Sequence, residues 1–234
     1  MNAPAASAPS RPRDAATLIL VDRSDGGARV LLGKRHAGHA FMPNKYVFPG
    51  GALDAADRRM SVAAPLDPQV EAKLMAATRR PSPGLARALA LAAIRETFEE
   101  TGFAVGLAAG GAQSRAPEGA WTRFAATGVL PALDRLDLVA RAITPPGRSR
   151  RYDARFFVAE ASSIAFRAEG VVHDEAELVE LVWTPLDEAL RLDLPQITRA
   201  VLDDLAAATR AGMDRARPRP FYRQRRGRGW RGEL

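Results

Sequence analysis

Three glutamates in one short stretch, Glu96, Glu99 and Glu100, are the residues of this chain best spaced for chemistry. They stand at i, i+3 and i+4, which on an α-helix puts them on one face. Carboxylates held that close repel one another, so the pattern asks for a compensating cation. An oxygen cage of this kind suits Mg²⁺ or Mn²⁺, which take carboxylate and water ligands and also grip phosphates. Arg95, beside them, can pair with a carboxylate and hold the array in place. Taken alone, an E-x-x-E-E pattern is more often a solvated acidic helix face.

These residues need a helix under them, and the sequence supplies one. Residues 85–101 are rich in Ala, Leu, Arg and Glu and stop at Gly102, a good helix former followed by a good terminator. Upstream, residues 16–21 and 29–35 flank Asp25-Gly26-Gly27 and read as a β-hairpin. Tyr46-Val47-Phe48 is a brief strand ended by Pro49-Gly50-Gly51. Residues 68–78 read as a helix with Asp67 as its cap and Pro68 at its first position. Residues 80–84 are a breaker cluster. A short helix is expected at 121–126, strands at 138–143, 152–160 and 178–183, a helical turn at 186–190 and a longer helix at 196–211. This order of strands, central helix, strands and final helix implies an α+β fold, a layered α/β/α sandwich with a mixed β-sheet.

The run Arg95-Glu96-Thr97-Phe98-Glu99-Glu100-Thr101-Gly102-Phe103 resembles the second half of the Nudix box, R-E-U-x-E-E-x-G-U, where U is aliphatic. The first half, G-x5-E, is approximated by Gly51 and Asp57, an acidic stand-in for the family's Glu. The departure is the spacer: residues 58–94, 37 in all, separate the halves where the family has seven. Residues 58–84 are therefore expected to be a helical insertion within the box. Phe48-Pro49-Gly50-Gly51 resembles the family's loop before its catalytic helix, and residues 181–190 resemble its last core strand and following helix. The resemblance covers about residues 15–212.

That resemblance implies a hydrolase that cleaves the diphosphate bond of a nucleoside diphosphate linked to another group, using Mg²⁺ or Mn²⁺ as cofactor. It makes Glu99 and Glu100 the first metal ligands, Glu96 a further ligand or the group orienting water, and Arg95 a structural and electrostatic partner. The backbone carbonyl of Gly51 is a further candidate ligand. A loop acid near the last strand often serves as ligand or general base; Glu177 is the first candidate and Glu175 the second. His173 is a candidate phosphate contact. The segment from Leu31-Leu32-Gly33-Lys34-Arg35 to Gly51 has the spacing of the coenzyme A diphosphatase signature, with Arg35 at its first Arg, but Ala40 and Asn44 replace its second Arg and its Gly. Together with the long insertion, this resembles a coenzyme A diphosphatase branch. Arg35, Lys45 and Phe48 are its candidate substrate-binding residues. Coenzyme A or an acyl derivative leads as substrate, with ADP-ribose or a dinucleoside polyphosphate as the alternative. A non-catalytic Nudix-like nucleotide sensor or RNA-binding protein is the alternative of another class, and the intact glutamates argue against it.

Bulk composition narrows the rest. No apolar run approaches the roughly 20 residues of a membrane span, and there is no cysteine, which excludes disulfides and thiolate metal sites and fits a cytoplasmic setting. The net charge of +7 is local: residues 215–234 hold eight Arg and one Glu, and the remainder balances at 26 basic and 26 acidic residues. The basic segment, 213–234, is expected to be a flexible or dimer-wrapping tail whose removal after Met213 spares hydrolysis; nucleic-acid binding by it is not favoured. Residues 1–14 read as a disordered lead. A small-molecule nucleotide and a second copy of the chain, in a homodimer, are the expected partners.

Overall fold

The first apolar run alternates its side chains across a strand that is covered on both sides. In the computed structural model, which describes residues 11–38, 42–110, 115–225 and 227–234, β1 (Arg13–Asp22) buries Leu18 and Leu20 on one face and Ile19 and Val21 on the other. It pairs antiparallel with β2 (Arg29–Arg35), closing the expected hairpin at Val21 opposite Val30. On its other side it runs parallel to β9 (Tyr152–Glu160), which is antiparallel to β8 (Asp137–Ile143). β11 (Leu178–Pro185) flanks β2 antiparallel. Short strands β3 (Tyr46–Val47) and β4 (Gly50–Ala52) pair with β2 and β1. The sheet is mixed, as anticipated.

One face of the sheet carries α2 (Pro83–Thr101), whose Leu89, Ile94 and Phe98 pack against Leu18, Leu20 and Phe157. Ser82 caps α2 by accepting from the Leu85 amide at 3.1 Å, so Pro83, placed among the breakers by sequence, occupies the first turn. Gly102 ends the helix at φ +76°, where a side chain would also meet the Ala168 carbonyl. Helix α1 (Pro68–Met75), capped by Asp67 as expected, adds Val70 and Leu74 to the same core. So does α3 (Thr122–Ala125), whose Phe124 packs edge-on between Phe98 and Trp121 at 5.3 and 5.1 Å. The opposite face is covered by α4 (Gln196–Arg210) through Val201, Leu202 and Leu205. Three layers result, an α/β/α sandwich. Small sheets pair β5 (Phe103–Val105) with β10 (Ile164–Arg167) and β6 (Leu107–Ala108) with β7 (Val129–Leu130).

Several expectations change. The helical turn expected at 186–190 is a 3₁₀ turn that lies slightly later, at Ala189–Arg191. Of the expected lead, residues 1–10 lie outside the described residues, while Arg13 and Asp14 already belong to β1. The basic C-terminal segment is no loose tail. It forms β12 (Pro220–Arg225) and β13 (Arg228–Glu233), a hairpin added to the sheet through β12 parallel to β8. Phe221 is buried, and Arg219, itself buried, donates to Asp137 at 2.9 Å. A chain ending at Met213 would leave Asp137 buried without that partner, so truncation is no neutral test of the segment.

Candidate active site

The two halves of the split motif meet at Arg95. Its guanidinium lies between β4 and α2 and is almost fully buried. Nε and Nη2 donate to the two Asp57 oxygens at 2.8 and 3.2 Å, Nη1 donates to Glu96 at 2.8 Å and to Glu99 at 3.0 Å, and Nη2 also donates to the Ala52 carbonyl at 3.0 Å. Burial alone would weaken the protonated form, but its bond to Asp57 and the charges of Glu96, Asp57 and Glu99 more than offset that and hold it cationic. Asp57 is completely buried and fully used: the Asp54 amide donates to it at 2.8 Å and the Trp121 indole Nε1 at 2.9 Å. Asp57 and Arg95 thus pair across a sequence separation of 38. Trp121, expected only as the start of a short helix, is an addition to the site, since nothing in its local sequence ties it to a residue 64 positions away.

Glu100 lies on the same helix face and is buried. Its Oε2 has no hydrogen-bond partner. Burial pushes its carboxyl well above the usual range; Glu177 and Glu96 add repulsion, while Arg35 and the Gly50 amide oppose it. Glu96 is raised mainly by burial, with Arg95 opposing and Glu99 and Glu177 adding repulsion. Glu99 is likewise raised by burial and countered by Arg95. Gly51 lies directly over this array: a Cβ there would sit 2.5 Å from both Glu96 oxygens. Only glycine lets the β4 backbone approach the carboxylates so closely.

The site is therefore rich in hard oxygen donors that lack enough positive charge of their own. Among the described residues no group of three or more His, Asp or Glu side chains is placed so that it could hold a metal ion. The donor chemistry nonetheless fits a divalent cation: a buried carboxylate oxygen without a partner is the kind of atom such an ion satisfies. Replacing Gly51 by alanine is expected to cut turnover by about 10²-fold through displacement of Glu96, with urea unfolding changed far less; kinetics and denaturation on the same preparation check this.

The remaining candidates separate. Glu177 reaches the site, pairing with Arg35 at 3.0 Å and adding to the charge felt by Glu96 and Glu100. Glu175 is exposed, with its amide donating to His173 Nδ1 at 3.3 Å. Lys45 is turned to Asp193 at 2.5 Å. Phe48 is buried among Ile19, Val21, Leu32 and Val158 on the α4 side, opposite the carboxylates, so its ring serves the core. Ala40 lies outside the described residues.

Comparison with solved structures follows the same lines. A Nudix hydrolase from Alicyclobacillus acidocaldarius superposes with a TM-score of 0.64 at 28% identity, over 89% of this chain and 97% of that one. The chain has the Nudix hydrolase fold. Two others, the Nudix hydrolase RenU of M. Smegmatis and a MutT Nudix hydrolase from Burkholderia pseudomallei, match at TM-scores of 0.46 and 0.45, with 19% and 21% identity, over 85% and 84% of this chain and 86% and 99% of theirs. No protein-family model matches. The Nudix fold accounts for the α/β/α sandwich.

Proposed function

We propose that the chain is a Mg²⁺- or Mn²⁺-dependent Nudix hydrolase that cleaves the diphosphate bond of a nucleoside diphosphate derivative, with coenzyme A or an acyl-coenzyme A as its leading substrate. The observation that carries this reading is the Asp57–Arg95 clamp, which holds Glu96 and Glu99, with Glu96 adding its charge to that felt by the buried Glu100, one of whose oxygens has no partner. Glu99 and Glu100, with Glu96 and the Gly51 carbonyl, are the proposed metal ligands. A divalent ion bound there supplies charge neutralisation for the diphosphate oxygens and a lowered pKa for water. Arg95 fixes the ligands. Arg35 offers its charge to substrate phosphate. Glu177 takes the proton from the water that attacks phosphorus, and the bridging P–O bond breaks as the new one forms. Replacing Glu177 by glutamine should lower kcat by about 10²-fold or more, and Glu175→Gln should leave kcat within about twofold; equal loss in both variants would contradict this assignment.

Substrate choice rests on the register of Arg35 with the glycine loop, with ADP-ribose and dinucleoside polyphosphates as the alternatives. The decisive experiment is a hydrolysis panel with Mg²⁺ and Mn²⁺ over coenzyme A, acyl-coenzyme A, ADP-ribose, NADH and dinucleoside polyphosphates, with product masses. Phosphopantetheine and adenosine 3′,5′-bisphosphate from coenzyme A are the expected products. Turnover of the others but not of coenzyme A would remove the leading substrate while leaving the chemistry. A homodimer is the proposed assembly and the cytoplasm the proposed setting.

A further inference from the structure

The parallel pairing of β12 with β8 brings together arginines that are far apart in sequence. Phe221 stands opposite Arg141 and Tyr222 opposite Ala142, so both strands leave the sheet at the same end. There β8 enters the 144–151 turn and β12 enters its turn to β13. β1 begins at this end too, with Arg13 opposite Tyr152. The rim so formed exposes Arg13, Arg148, Arg150, Arg225 and Arg228. The acidic residues of segments 11–14, 144–153 and 223–229 are Asp14 and Asp153, and both are taken up by buried arginines: Asp14 by Arg155 at 2.6 Å and Asp153 by Arg141 at 2.7 Å. Positive charge at the rim is left uncompensated by its own segments.

Two arginines of the hairpin, Arg223 and Arg225, are also ordered in advance, as is Arg141 of β8. Arg141 and Arg223 stack on the Phe221 ring at 4.6 and 5.0 Å, and Arg223 and Arg225 on Trp230 at 4.5 and 5.4 Å. A stacked guanidinium keeps its in-plane N–H donors, which match phosphate oxygens, and loses less freedom on binding than a loose one. Five adjacent strands, β1, β9, β8, β12 and β13, spaced at roughly 4.8 Å give the rim a span of about 19 Å, enough for several successive phosphates. The large exposed apolar side chains among the described residues, Leu107 and Phe166, belong to β6 and β10, outside this sheet. The rim therefore offers charge and stacking planes without an apolar wedge for a bilayer.

We propose that this rim binds the phosphate backbone of single-stranded nucleic acid, with stacking on the arginine–aromatic ladder in place of base-specific readout. The test is fluorescence anisotropy of a labelled 20-nucleotide oligouridylate with the full chain at 50 and 200 mM NaCl, beside sedimentation with phosphatidylserine vesicles. Wild-type protein should bind the oligonucleotide with a log–log salt slope of about −3, from four or five phosphate contacts. Two charge reversals in separate turns, Arg148→Glu with Arg150→Glu and Arg225→Glu with Arg228→Glu, should each weaken binding at least about tenfold and flatten the slope, with the thermal midpoint retained as the check on folding. Absence of oligonucleotide binding by wild type, unchanged affinity in both reversal variants, or preference for the vesicles would each overturn it. The outcome is independent of hydrolysis, which uses the other side of β1.

Discussion

Replacing Glu100 by glutamine should abolish diphosphate hydrolysis, with kcat falling at least about 10³-fold, while making the ion-free protein more resistant to urea at neutral pH. The two effects have one cause. Glu100 is buried, one of its oxygens has no partner, and burial together with Glu177 and Glu96 disfavours its charged form. Its folded-state carboxyl is raised, so the native chain holds this proton more tightly than the unfolded chain does. That contribution to stability is present below the ordinary glutamate range and is lost as pH rises through the raised folded value. Wild type should therefore weaken from acid toward neutral pH relative to Glu100→Gln. Added Mn²⁺ should recover the loss in wild type and have little effect on the variant. Urea midpoints across pH, with and without Mn²⁺, measure both statements; a variant that hydrolyses normally would remove Glu100 from the site.

The second large effect is structural. Asp57→Asn places an amide against two donors, the Asp54 N–H and Arg95 Nη2, and leaves the Arg95 charge inside the protein without its bidentate counter-ion. Removing one partner of a buried ion pair costs about 3–5 kcal/mol, which for a domain of this size lowers the melting temperature by roughly 10 °C. Activity should fall along with stability, because Arg95 also holds Glu96 and Glu99. Calorimetry checks the size of the loss. A melting temperature within about 2 °C of wild type would mean that the clamp does not hold the split halves together.

The legible part of this protein was whatever is periodic or local. Glu96, Glu99 and Glu100 announce their shared face by spacing alone, the hairpin at β1 and β2 by its glycine turn, and α1 by Asp67 and Pro68. Contacts across long stretches of chain were harder. Asp57 could be matched to Arg95 only through a family pattern, and Trp121 carried no signal because its indole bond to Asp57 closes a 64-residue separation. The C-terminal hairpin was hidden by its arginines: a run rich in charge reads as solvated, yet stacking on Phe221 and Trp230 lets it form edge strands. Phe48 and Lys45 share the segment of Arg35, and strand alternation and an Asp193 partner turn them elsewhere.

The carboxylates of α2, Glu96, Glu99 and Glu100, are proposed to hold a divalent cation. Mn²⁺ titration followed by electron paramagnetic resonance, comparing wild type with the Glu99→Gln, Glu100→Gln double variant, tests it without needing a substrate. Wild type should sequester Mn²⁺, with the free-ion signal suppressed until the site fills, and the double variant should leave that signal at its buffer level. Equal binding by both proteins would contradict the claim.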